Sequence, residues 1–171
     1  MCKIYQRKYE GLANDLLRID ASMKGITCDE LVSYFMKPPP GQSSMIQEEK
    51  DIEIIDDNTK VVYWKFKMPL MSARDNCMKI TKTQQGDGTF FVCETVDRPD
   101  VPEIPGVVRM FVYTRGYARP NKELPDTIDY TEMTVMNMGG YMPARLLNMV
   151  LASECEKEFR SMHKYLLSNK K

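Results

Sequence analysis

Along most of this chain hydrophobic residues recur at every second position, and after Gly139-Gly140 they switch to steps of three and four. Period two is the signature of a half-buried strand, and the longer step is that of a helix with one apolar stripe. Thr127–Met138 reads as a long strand ahead of the switch. Beyond it, Pro143 sits near the first position of a helix, where its missing N–H costs nothing. Leu147, Val150, Leu151, Cys155, Phe159, Met162 and Leu166 then recur at helical spacing. Carried to about residue 167, this helix is roughly 37 Å long at 1.5 Å per residue. A stripe of that length needs a surface to lie on, and the preceding strands supply one.

Those strands can be followed from the N-terminus. Cys2–Tyr5 is short, and Leu16–Met23 puts Leu17, Ile19, Ala21 and Met23 on one face. Thr27-Cys28-Asp29-Glu30 is a capping box opening a short helix through Leu31, Val32, Tyr34 and Phe35, which Pro38-Pro39-Pro40-Gly41 ends. Ile46, Ile52, Ile54 and Ile55 lie in a strand running to the turn at Asp56-Asp57-Asn58. Lys60–Met68 alternates Val62, Trp64 and Phe66 against Tyr63, Lys65 and Lys67, one apolar face and one wet face. Asn76–Gln84 and Thr89–Thr95 flank Gly86-Asp87-Gly88 as a hairpin. Arg98–Gly106 is a proline-rich loop, and Val107–Tyr113 and Tyr117–Arg119 continue the sheet. The pattern predicts an α+β domain spanning residues 1–171: an antiparallel sheet with a helix laid on one face. Whether sheet and helix close on a solid core or on a cavity is open at this point.

Composition removes several classes. With Lys+Arg 24 and Asp+Glu 24 the net charge is zero, which argues against a nucleic-acid track and against recruitment to anionic lipid by charge alone. Five cysteines without short pairing, behind an N-terminus lacking an apolar signal segment, read as free thiols in a reducing cytosol. One histidine and scattered cysteines predict no metal site, and no cofactor motif occurs. No Ser–His or Cys–His spacing suggests a nucleophile. Glu48-Glu49 and Glu154-Glu156-Glu158 read as solvated faces, and His163 as a residue near a helix end.

Three stretches in this order, "VVYWKFKMPLMSARDN", "VDRPDVPEIPGVVRM" and "NMGGYMPARLLNMV", resemble the StAR-related lipid-transfer (START) family. The opening "CKIYQRKYE", the capping-box helix and the Arg74-Asp75 pair follow the family's order too, so the resemblance covers nearly the whole chain. It implies the helix-grip fold: a curved antiparallel sheet wrapped around the C-terminal helix, with an internal apolar tunnel for one lipid. Three departures stand out. The chain begins at the strand that family members usually precede with a helix. "KPPPGQSSMIQEE" carries neither the Arg nor the Trp with which phosphatidylcholine binders read a phosphate. Ile80 stands where several members, sterol binders among them, have Arg.

The expected function is therefore non-catalytic binding, and transfer between membranes, of a phospholipid, fatty acid or sterol by a cytoplasmic monomer. Its partners would be that lipid and, transiently, membrane surfaces, with no nucleic acid. Alternation and helix face nominate Val62, Trp64, Phe66, Met78, Ile80, Met110, Val112, Met133, Val135, Leu147, Val150 and Leu151 as tunnel lining. Arg74, Asn76 and Asn148 are the candidate inward polar groups. Arg74-Asp75 reads as a structural ion pair or a head-group anchor, Trp64 as core or as a stacking surface, and Asn148 as a partner of a ligand or of the Gly-Gly turn. Arg98–Gly106 is the candidate lid, with Val101 and Ile104 as its apolar tips. Selectivity is expected from shape alone. Two rivals use the same fold: a helix-grip hydrolase or cyclase relying on those polar groups, and a module that senses lipid without moving it.

Overall fold

The computed structural model describes residues 2–8, 10, 15–41, 43, 45–67, 71–140 and 144–169, without the side chains of 144–152. Its elements are β1 (Cys2–Arg7), β2 (Leu16–Lys24), α1 (Cys28–Met36), β3 (Ile46–Asp56), β4 (Thr59–Phe66), β5 (Arg74–Gln85), β6 (Gly88–Thr95), β7 (Val108–Arg109), β8 (Phe111–Pro120), β9 (Thr127–Asn137) and α2 (Ala144–Ser168). The strands form one curved sheet in the order β1-β2-β9-β8-β6-β5-β4-β3, antiparallel throughout except for β7, which runs parallel to β5. α1 lies against β5, β6 and β8, and α2 meets β1.

Local chemistry explains the element ends. The capping box at Thr27 is formed in both directions: Thr27 Oγ1 accepts from the Glu30 N–H at 3.1 Å, and Glu30 Oε2 from the Thr27 N–H at 2.7 Å. At the other end of β9, Gly139 and Gly140 both take positive φ, +62° and +63°, which a side chain would resist. Val107–Tyr113 and Tyr117–Arg119, which read as two strand segments, are instead the short β7 and the unbroken β8. The join runs through Gly116, where an added Cβ would lie 2.0 Å from Cε1 of Phe91. Glycine is needed there because the Phe91 ring lies flat on the opposing strand, not because the strand stops.

The main core fills the space between the helices and one end of the sheet. Leu17, Ile19, Ala21 and Met23 of β2 are all buried, as their alternation requires. Four aromatic rings from four elements stack through this core. Phe35 of α1 lies 4.8 Å from Phe91 of β6 and 5.8 Å from Tyr130 of β9, and Tyr130 lies 5.5 Å from Phe159 of α2. Each such pair adds about 0.5–1.5 kcal/mol beyond the area it buries. These rings fill the core between the two helices and the sheet. Met68 and Pro143 lie outside the described residues.

Candidate functional site

Beside the aromatic stack the helix-facing side of the sheet leaves a cavity of about 210 Å³. Ile19, Trp64 and Glu132 border it from the sheet, Tyr34 and Phe35 from α1, and Cys155, Glu158, Phe159 and Met162 from α2. Pro38, Ser43 and Ile46, at and before the start of β3, border both this cavity and an outer groove of about 350 Å³. Cavity and groove thus adjoin at these three residues. An apolar cavity of about 150 Å³ is already enough to hold benzene.

The polar groups of this interior are few. Glu132 accepts from Tyr130 Oη on one carboxyl oxygen and from Thr134 Oγ1 on the other, at 2.9 Å. Thr114 Oγ1 lies 3.0 Å from Thr134 Oγ1 and extends the chain of hydroxyls. Burial pushes the Glu132 carboxyl above the ordinary glutamate range, against the pull of those hydrogen bonds. The surface Glu132 still exposes borders the cavity. Burial, and secondarily Glu132 itself, push the thiols of Cys93 and Cys155 up to about 12. A second polar row crosses β3, β4 and β5 on the same face, because Glu49 pairs with Trp64 and Trp64 with Asn76. Glu49 Oε1, Trp64 Nε1 and Asn76 Nδ2 are buried and make no hydrogen bond of good geometry among the described residues. Asn76 is 0% exposed; its Oδ1 accepts from Thr95 Oγ1 at 3.1 Å.

The nominated lining residues fall into three groups. Val62, Met78 and Ile80 are buried together, with Trp64, Val112, Cys93 and Met36 against them. Met110 packs with Met138, Phe66, Val112 and Met136. Among the described residues, Trp64 alone of the nominated set borders this cavity. The side chains of Leu147, Asn148, Val150 and Leu151 lie outside the described residues. Met133 and Val135 are corrected: they stand on the outer face, Met133 with 46% of its surface exposed. β9 carries apolar residues on both parities, and Met133 and Val135 suggest the wrong one. The register decides, since Ile19 pairs with Glu132 and Ala21 with Tyr130, which turns Ile128, Tyr130, Glu132 and Thr134 inward. Glu132 was missed for that reason. Its signal was the buried face of β2 carried across to β9.

Arg74 and Asp75 are not an ion pair, because neighbours on a strand point to opposite faces. Arg74 is buried on the helix-facing side, donating to the carbonyls of Met138 at 3.3 Å and Ser72 at 2.5 Å. It ties the end of β9 to the start of β5. Asp75 is buried on the outer side, where Arg109 grips both its oxygens at 2.8 and 3.2 Å and Tyr63 Oη donates at 3.3 Å. The same guanidinium reaches the carbonyls of Val101 and Pro102 at 3.3 and 3.4 Å. Val101, 8% exposed, packs there with Val61, Tyr63 and Cys77. The face of β4 expected to be wet is therefore covered by the Arg98–Gly106 loop. Val101 is not a lid tip. It is buried across the sheet from the cavity, while Ile104 is 39% exposed. Arg98 fastens the loop from its start, to Asp100 at 2.9 Å and to Glu53 at 2.5 Å.

No family model matches the sequence, and no curated protein is significantly similar to it. Solved structures do match. Human STARD10 superposes with a TM-score of 0.82 at 17% identity, over 98% of this chain and 70% of that one. Human StAR-related lipid transfer protein 5 gives 0.84 at 18% identity, over 96% and 81%. A STAR-related lipid transfer protein fragment from Xanthomonas axonopodis gives 0.82 at 21% identity, over 96% and 93%. The fold is that of a START domain. The helix-grip architecture implied by the sequence motifs is the one observed. No helix among the described residues is long and apolar enough to cross a membrane.

Proposed function

We propose that this START-fold chain is a non-catalytic carrier that holds the apolar body of one lipid between its sheet and its two helices and moves it between membranes. The observation that carries this reading is the cavity: an interior space lined mainly by Ile19, Phe35, Trp64, Phe159 and Met162, opening to the surface at Pro38, Ser43 and Ile46. Burying an acyl chain contributes about 0.8 kcal/mol per CH₂. A carrier has only to match the bilayer in this respect, so an apolar interior suffices and tighter binding would hinder release. The chemistry of the lining favours this over an enzyme. The Cys155 thiol, raised to about 12, is not a thiolate at neutral pH, and the half-buried His163 lies outside the cavity lining with its Nε2 3.1 Å from the Lys24 carbonyl.

Loading would occur under the α1–β3 connection, not beneath the Arg98–Gly106 loop. The test is transfer of fluorescent lipid from donor to acceptor vesicles of neutral phospholipid. The wild-type chain should accelerate it in proportion to its concentration, and Ile46→Asp, at the opening, should slow it several-fold. Transfer no faster than the protein-free rate would refute the reading.

A further inference from the structure

Glu132 is held in an unusual way for a carboxyl lining an apolar cavity. Tyr130 and Thr134 donate to its two oxygens, and Thr114 stands behind Thr134 in the same chain of hydroxyls. Tyr130 and Thr134 both present Glu132 as an acceptor. Glu158 adds a second carboxyl to the lining, and no Lys, Arg or His borders the cavity among the described residues. A like charge brought beside a buried carboxyl is costly.

We propose that Glu132 reads the head of the bound lipid, favouring heads that donate a hydrogen bond, a hydroxyl or an amine, over heads that carry a carboxylate. This rests on the cavity being a lipid site and adds what the site discriminates. An apolar body of given length gains the same burial energy whatever its head, so the head decides among ligands of equal length. A hydroxyl donates to a free lone pair of Glu132 without adding charge, and an amine donates there and also carries a cation to the carboxyl. A carboxylate can enter only by taking up a proton or by sitting against the Glu132 carboxyl. Discrimination here is by head chemistry and not only by shape. The residue responsible lies on β9, away from position 80, where Ile replaces the Arg that several START domains carry.

The test uses the full chain loaded with the neutral dye Nile red, displaced near pH 8 by 1-dodecanol, dodecylamine or dodecanoate. The three share one chain length and differ in the head. The alcohol and the amine should each displace the dye at a concentration at least about tenfold below that of dodecanoate. Comparing the two shows whether a hydroxyl or an amine is preferred. In Glu132→Gln the gap between dodecanol and dodecanoate should narrow to less than about threefold. Equal displacement by dodecanol and dodecanoate in the wild type would overturn the proposal and leave the cavity a lipid site. So would a full gap surviving in Glu132→Gln. If none of the three displaces the dye, the lipid reading fails and the proposal with it. The wild-type ranking decides alone if the Gln variant does not fold.

Discussion

At the scale of single residues, Glu132 couples stability to pH. Its carboxyl is raised by burial, so the native chain keeps a proton that the unfolded chain releases at the ordinary glutamate pKa. Between that value and the native one the unfolded state binds fewer protons, and stability falls as pH rises. Glu132→Gln removes the titration. In urea unfolding the variant should be no less stable than wild type at about pH 4, with its relative stability growing toward pH 8. Parallel curves for the two proteins would show that Glu132 is not desolvated in solution. Gly116 makes a second test of the interior. Gly116→Ala forces the Phe91 ring out of its place beneath Phe35, and overpacking of this kind costs about 1–3 kcal/mol. The melting temperature should drop accordingly; an unchanged value would mean the stack is looser than described. Neither residue was legible in the chain. Glu132 sits on a strand with apolar residues of both parities, and Gly116 in isolation looks like a strand break.

At the scale of elements, the capping box of α1 was legible because every atom it uses lies within four residues. The Arg98–Gly106 loop was not, because its role depends on an outer-face cluster drawn from β3, β4 and β5. Proline content and two apolar side chains suggest a lid. Val101 is instead clamped over Val61, Tyr63 and Cys77, with Arg109 joining its carbonyl to the buried Asp75. Substitution separates the two roles. Val101→Asp places a charge in that cluster and should cost several kcal/mol, whereas Ile104→Asp, at an exposed position, should stay within about 0.5 kcal/mol. Arg109→Ala strands the Asp75 carboxylate and should cost about 3–5 kcal/mol. Denaturant midpoints check all three. Equal, small losses at Val101 and Ile104 would return the loop to the status of a mobile flap.

For the whole molecule, the switch from period two to helical steps at Gly139-Gly140 located the final helix, and the order of motifs matched the START fold that the solved structures share. The α+β class was legible because it needs only local periods and their sequence. The cavity was not. Its walls join Ile19, Phe35, Trp64, Glu132 and Phe159 from five elements, and their convergence follows from strand register and helix placement. The claim beneath all of this is that the interior holds a lipid. Native mass spectrometry of the chain purified without detergent tests it most directly. A population carrying one additional mass of a few hundred daltons, released on collisional activation and identified as a single lipid molecule, is the predicted result. A spectrum of bare chain alone, still bare after incubation with a total lipid extract, would contradict it.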